Sequence, residues 1–282
     1  MRDRRQTAGP ERQSAPEAAV WDHSSHESFY RYYAEKSASP EEQQRFRDIR
    51  SAILRVLRSQ RPLNGGALHV ADIGCGAGTQ SVVWAESGHV VHAVEINEPL
   101  LELGRQRAAT AGYAIDFRLG SATQLPWTDD SMDVCIALEL LEHVEEWRKC
   151  LNEFTRILRP GGALLVTTTN RLCPLQAEFN IPFYSWFPKP VKRYYERLAS
   201  TTRPELVNFA RYPAVNWFTF FGLRRLLTSA GFHCLDRFDI MDLERKGTVA
   251  RIIVTSVRSV APLRWLAHVC TPSTILLAIK TT

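Results

Sequence analysis

The chain has 282 residues, 45% of them hydrophobic and 23% charged, with a formal net charge of +5. That length and mix suit one large globular domain with insertions and exclude a collagen-like or wholly disordered chain. No run approaches the roughly 20 apolar residues of a membrane span, and the stretch Met1 to Pro16 has no apolar run of the kind a secretory leader carries. The six cysteines (Cys75, Cys135, Cys150, Cys173, Cys234 and Cys270) are scattered, with no Cys-x-x-Cys pair. Zinc and disulfide frameworks are therefore disfavoured, and the expectation is reduced thiols in a cytoplasmic protein.

Residues 1–20, rich in Arg, Gln, Ala, Pro and Ser, are expected to be disordered. A helical extension follows over 21–62, with Ser37 or Ser39 as a cap before Pro40 and Glu41. Its apolar residues Phe46, Ile49, Ile53, Leu54 and Leu57 recur at helical spacing. From Leu68 strand and helix alternate. LHVADI, HVVHAVEI, AIDFRL, MDVCIAL and ALLVTTT read as five strands, and Pro160-Gly161-Gly162 as the turn before the fifth. Apolar strands alternating with helices predict an α/β fold with a doubly wound, mostly parallel sheet of seven strands. The main domain is placed at 63–282. Residues 170–216 break the rhythm with prolines and aromatics, as a functional insert does. FTFFGLRRLLTSAGF then reads as a helix and HCLDRFDI as a sixth strand. A basic, apolar insert over 243–272 precedes the final strand, STILLAIKT.

The sharpest motif is Val70-Ala71-Asp72-Ile73-Gly74-Cys75-Gly76-Ala77-Gly78-Thr79. Glycines there let the backbone turn tightly and approach a ligand, and free amides at the next helix start offer hydrogen bonds to it. A tight strand-to-helix turn alone also wants glycine, so the motif gains meaning from Glu95. That acid ends the next strand about 20 residues on, where a carboxylate bonds ribose hydroxyls. The spacing is neither the G-x-G-x-x-G of a dinucleotide fold nor a phosphate-binding loop with its Lys-Ser/Thr.

These residues resemble the class I S-adenosylmethionine-dependent methyltransferases, in particular methyltransferase type 11 and the ubiquinone-pathway O-methyltransferases. VADIGCGAGT is similar to the first motif of that family and VEIN to its ribose-binding acid. LPWTDDSMDVCIALELLEHV and LRPGGALLVTTTN are similar to its later strands. The resemblance implies S-adenosylmethionine as cofactor and a cofactor set of Asp72, Gly74, Cys75, Gly76, Gly78, Glu95, Ile96, Ser121, Ala122 and Glu139. One position departs from the family pattern. Many relatives carry Asp where Ser121 stands, and a hydroxyl accepts the adenine bond more weakly than a carboxylate.

After the fourth strand come Glu139, Glu142 and His143. On a helix they share one face, and a trio of that kind supplies a general base or binds a cation. Equally, Glu142 and His143 could simply orient a helix that begins near Val144. The family resemblance implies a divalent cation such as magnesium on Glu139, Glu142 and His143, with His143 and Glu142 catalytic. The acceptor side falls to the aromatic insert, as an acceptor lid or as core beneath a long loop. Its composition suits an apolar or aromatic small molecule, or a lipid-linked one. Basic and apolar residues mixed in both inserts fit transient contact with the inner face of a membrane; nucleic acid is disfavoured. The leading expectation is O-methylation. Its rivals are C- or N-methylation of a metabolite and a catalytically silent partner subunit.

Overall fold

The computed structural model describes residues 35–60, 65–175, 178–207, 214–244 and 246–281. The expected disordered tail (1–20) and the start of the helical extension (21–34) lie outside the described residues. The extension is seen as helix α1, Pro40–Gln60. Its start follows from local chemistry: the Glu42 N–H donates to Ser39 Oγ at 3.3 Å, and Glu41 and Glu42 occupy the positive first turn. Phe46, Ile53, Val56 and Leu57 form its buried face.

Seven strands make one sheet in the order β3-β2-β1-β4-β5-β7-β6. They are β1 His69–Ile73, β2 Val90–Glu95, β3 Asp116–Leu119, β4 Met132–Leu138, β5 Leu158–Thr169, β6 Phe232–Asp236 and β7 Ser273–Lys280. The first five pair in parallel. β7 runs antiparallel to both neighbours, so the expected mostly parallel sheet is present with one reversed strand. Helices α2 Thr79–Ala85, α3 Glu98–Ala111 and α4 Trp147–Ile157 are the crossovers. Further on come α5 Lys189–Thr201, α6 Phe220–Ser229, α7 Thr248–Ser259 and α8 Ala261–Val269.

Side-chain alternation gives each strand two buried faces. On one face Val70, Val134, Ile136, Ala163 and Leu165 pack with Ile53, Leu57 and Trp84. On the other, Ala71, Ile73, Cys135, Ala137, Leu164 and Val166 pack with Cys150, Phe154, Ile157 and Leu223. Both layers bury continuous apolar runs, which is why the strands read as apolar rather than alternating.

Three boundaries differ from the sequence expectation. Pro160-Gly161-Gly162 is not a separate turn: β5 already pairs at Leu158 with Met132, and a register shift between Met132 and Val134 absorbs the three residues. β6 stops at Asp236, because its Oδ1 accepts the N–H groups of Phe238 and Asp239 and turns the chain. The basic, apolar insert is a pair of helices, α7 and α8.

Candidate active site

The glycine loop leaves β1 at the carboxyl ends of the parallel strands, where open sheets bind ligands. Gly74 N–H and Cys75 N–H both donate to Val94 O, at 2.8 and 3.1 Å, which pins the loop against the end of β2. Gly74, Gly76 and Gly78 have φ of 68°, 52° and 71°, a region costly for residues with a Cβ. At Gly78 a Cβ would also lie 2.9 Å from Phe117 Cζ and 3.0 Å from Gly104 Cα. This third glycine therefore serves the packing of α2 against α3.

Glu95 is buried and its carboxylate organises the neighbouring backbone. Oε2 accepts from Gly76 N–H at 2.8 Å. Oε1 accepts from Ile96 N–H at 2.9 Å and Asn97 N–H at 3.0 Å. Burial nonetheless raises its pKa against the pull of those donors. Asp72 is buried beneath the loop, with Ser81 Oγ donating to it at 2.5 Å. Burial, with Glu95 adding to it, pushes Asp72 up to about 7. The loop after β3 is tied in by Gly120 N–H, which donates to Glu95 O at 3.0 Å. This sets Ser121 and Ala122 beside the end of β2. The Ser121 hydroxyl is engaged locally with Thr123, 2.8 Å to its Oγ1, and Ile96 stands exposed next to Glu95.

The structure thus brings Asp72, Gly74, Cys75, Gly76, Gly78, Glu95, Ile96, Ser121 and Ala122 to one end of the sheet. Glu139 arrives there by the loop after β4. Leu140 lies over the glycine loop, its Cδ1 3.0 Å from the position of a Cβ on Gly74. Gln80 is a member that sequence reading missed. It is 3% exposed, and neither its amide N nor its amide O has a hydrogen-bond partner among the described residues. An orphaned buried amide one residue into α2 is a donor and acceptor held ready for a ligand.

The acidic–histidine cluster is not helical. Glu139 adopts φ 48°, residues 141–143 form a turn, and α4 begins only at Trp147, not near Val144. The reason is the anchoring of the turn. Glu139 N–H donates to Thr167 O at 2.9 Å and His143 N–H to Leu140 O at 3.0 Å. Asn216 Nδ2 donates to Leu141 O and Val144 O, at 3.1 and 2.7 Å. The i, i+3, i+4 argument therefore does not describe the site, although the turn still gathers these groups.

Glu142 is fully buried, with Thr168 Oγ1 donating to its Oε2 at 2.8 Å. No donor among the described residues reaches Oε1. Burial, reinforced by the Glu139 carboxyl, holds Glu142 well above the usual carboxylate range. Glu178, from the insert, joins it. Burial pushes Glu178 up to about 7, Glu139 adds to the rise, and the Ala214 N–H opposes it. Glu142, His143 and Glu178 offer donor atoms within 4.8 Å of one another. Glu178 takes the place expected of Glu139 in that trio. Its one sequence signal is that no other charged residue occurs between Leu172 and Pro188.

The aromatic insert divides in two. Phe179 and Tyr184 are buried and stacked at 3.7 Å between ring centroids, in a small core with Phe187, Tyr195 and Trp217. Phe183, Trp186 and Tyr194 remain exposed.

Comparison with known proteins agrees with this geometry. The family model for a methyltransferase domain matches residues 71–166. The chain is 32% identical over 154 residues to a ubiquinone biosynthesis O-methyltransferase of Rhizobium leguminosarum bv. trifolii, covering 52% of this chain and 58% of that protein. It is 35% identical over 139 residues to a demethylmenaquinone methyltransferase of Clavibacter sepedonicus, covering 49% and 50%. The chain thus spans less than two thirds of the length of these relatives. Its fold is shared with the crystal structure of magnesium protoporphyrin IX methyltransferase from Synechocystis PCC 6803, at a TM-score of 0.52 and 15% identity, over 95% of this chain and 98% of that one. The matched stretch runs from β1 to β5 and holds the glycine loop, Glu95 and Glu142, and over that stretch the chain is similar to class I methyltransferases.

Proposed function

We propose that this protein transfers the methyl group of S-adenosylmethionine to a hydroxyl of an apolar, quinone-like aromatic acceptor. The observation that carries the reading is a juxtaposition. A glycine loop bonded to the Glu95 carboxylate shares one end of the sheet with the buried Glu142 and the half-buried His143 and Glu178. The curated relatives, named for ubiquinone biosynthesis and for demethylmenaquinone, support an aromatic acceptor of that class.

When bound, the cofactor supplies an electrophilic methyl on a positively charged sulfonium. The chain's residues do the rest. Glu95 receives the ribose hydroxyls, and the loop amides and the Gln80 amide receive polar groups of the amino-acid end. Ile96 offers an apolar surface to the adenine. Asp72 places negative charge under the cation. On the acceptor side His143 would take the proton of the acceptor hydroxyl, for which the cofactor would supply the methyl group. Glu142 and Glu178 hold the site acidic. Their oxygen donors, the open Glu142 Oε1 and the His143 nitrogen also suit a hard divalent cation. With magnesium held instead by Glu142, His143 and Glu178, the cation in place of the His143 base would lower the pKa of the acceptor hydroxyl.

The test is methyl transfer from labelled S-adenosylmethionine to catechol and hydroquinone acceptors, with and without magnesium, on the wild type and on His143→Asn and Glu178→Gln. Labelled ether product, reduced at least about tenfold in His143→Asn with cofactor affinity unchanged, is expected. Label on carbon or nitrogen alone, or full activity in His143→Asn, would overturn the assignment.

A further inference from the structure

We infer that Arg107 is a positioning residue for the cofactor. From α3 it holds the last glycine of the loop in shape and ties the turn before α1 to it. The inference rests on the cofactor half of the reading above and extends it to a residue outside the glycine loop.

Gly78 is the weak point of the loop. It has φ 71°, and with no side chain it has more backbone freedom to lose than any other residue type. It is also the N-cap of α2, where no side chain makes a capping bond. Something beyond the loop must hold it, and Arg107 does so from both sides. Its Nη1 donates to the Ala77 carbonyl at 3.1 Å and to Thr79 Oγ1 at 2.9 Å. The Ala77 carbonyl shares a planar peptide unit with the Gly78 N–H, which donates to Cys75 O at 3.0 Å. Fixing one end of that unit fixes the other.

The grip is possible because α3 comes close here. Gly104 and Arg107 are three residues apart and share a helix face. A Cβ at Gly104 would lie 3.0 Å from Phe117 Cε1 and 3.4 Å from the carbonyl carbon of Ala77. The helix backbone meets the loop at Gly104, and Arg107 reaches it one turn later.

What Arg107 fixes leads to the cofactor residues on either side. Gly76, just before Ala77, donates to Glu95 Oε2 at 2.8 Å, so a shift at Ala77 is felt at the Glu95 carboxylate. Gln80, with its orphaned buried amide, follows Thr79. The same Nη1 also donates to Ser37 Oγ at 3.1 Å. Ser37 lies in the short turn Lys36–Ala38, which Gln43 Nε2 fastens to α1 through Ala38 O at 2.9 Å. Three acceptors share the two hydrogens of one nitrogen, so a movement of the loop changes the bond to Ser37, and the start of α1 senses the loop.

Calorimetric titration of S-adenosylmethionine into the wild type, Arg107→Met, Arg107→Lys and Ser37→Ala tests the inference, with amide hydrogen exchange followed at residues 36–43. Arg107→Met should bind about tenfold more weakly, as the loss of charge-assisted bonds predicts. Arg107→Lys, which keeps a charged donor, should recover part of that affinity. Saturating cofactor should slow exchange at 36–43 in the wild type and not in Arg107→Met or Ser37→Ala. A merely structural loss would change exchange equally with and without cofactor. Binding needs no acceptor, so failure of the proposed hydroxyl chemistry would not touch this result. Arg107→Met binding as tightly as the wild type, or exchange at 36–43 that cofactor leaves unchanged in the wild type, would overturn the inference alone. A wild type that binds no cofactor would overturn it together with the cofactor reading.

Discussion

In the proposed cofactor complex, Asp72 should make the binding of the cationic cofactor pH-dependent. Its carboxyl is buried under the glycine loop, takes one hydrogen bond from Ser81, and sits near Glu95. Its pKa is raised to about 7 from an ordinary 3.8, so near neutrality it is partly protonated. A bound sulfonium favours the ionised form, and binding must then release the proton. Between about pH 8 and about pH 6 the affinity should fall roughly tenfold for this one group. The folded state binds the proton more tightly than the unfolded chain, so this group's contribution to stability is fully present below the unfolded pKa. It is lost as pH rises through about 7. Asp72→Asn removes both effects. It should stabilise the free protein at about pH 8 by up to a few kcal/mol, each pKa unit being worth about 1.4 kcal/mol. It should also flatten the affinity profile at the wild type's low-pH level. Calorimetric titration in buffers of different ionisation heat reads the released proton directly. A pH-independent affinity in the wild type, or an Asp72→Asn variant that binds like the wild type at about pH 8, would refute the reasoning.

Three further outcomes follow from individual side chains. Gly78→Ala combines a φ of 71° with a Cβ 2.9 Å from Phe117 Cζ and should cost about 2–4 kcal/mol in denaturant unfolding. Gln80→Leu removes two buried polar atoms that lack partners among the described residues. It should raise stability by about 1 kcal/mol or more while weakening cofactor binding, and a loss of stability on melting would show the amide to be paired. Asn216→Ala frees the carbonyls of Leu141 and Val144. It should destabilise by about 1–2 kcal/mol and lower the turnover of methyl transfer more than the cofactor affinity, read as separate turnover and binding measurements.

The cofactor half of the fold was legible because its signals are local. A glycine loop needs glycines in sequence, and each apolar strand with its following helix writes its own period. Even the cap of α1 could be read from Ser39, Pro40 and Glu41. The acceptor half was not legible in the same way. The turn at residues 139–143 reads as helix from its spacing, but Asn216, more than 70 residues away, holds its carbonyls in another shape. Glu178 comes to Glu142 and His143 across a long insert with no periodicity to announce it. Gln80 reads as an ordinary helix residue, and only its burial without partners marks it. The two-helix form of residues 248–269 was hidden by an apolar composition that suits strand and helix alike.

The most direct test of the central claim is titration of S-adenosylmethionine into the folded protein, beside Glu95→Gln. The Glu95 carboxylate accepts from Gly76, Ile96 and Asn97, and in the proposed cofactor complex it would face the ribose hydroxyls. Losing charge-assisted bonds worth about 1.5–3 kcal/mol should weaken binding roughly ten- to a hundredfold. Saturable one-to-one binding that Glu95→Gln weakens by that factor is the predicted result. A folded wild type that takes up no cofactor, or a Glu95→Gln variant that binds as tightly, would contradict the account and leave the glycine loop a structural turn in a catalytically silent partner subunit.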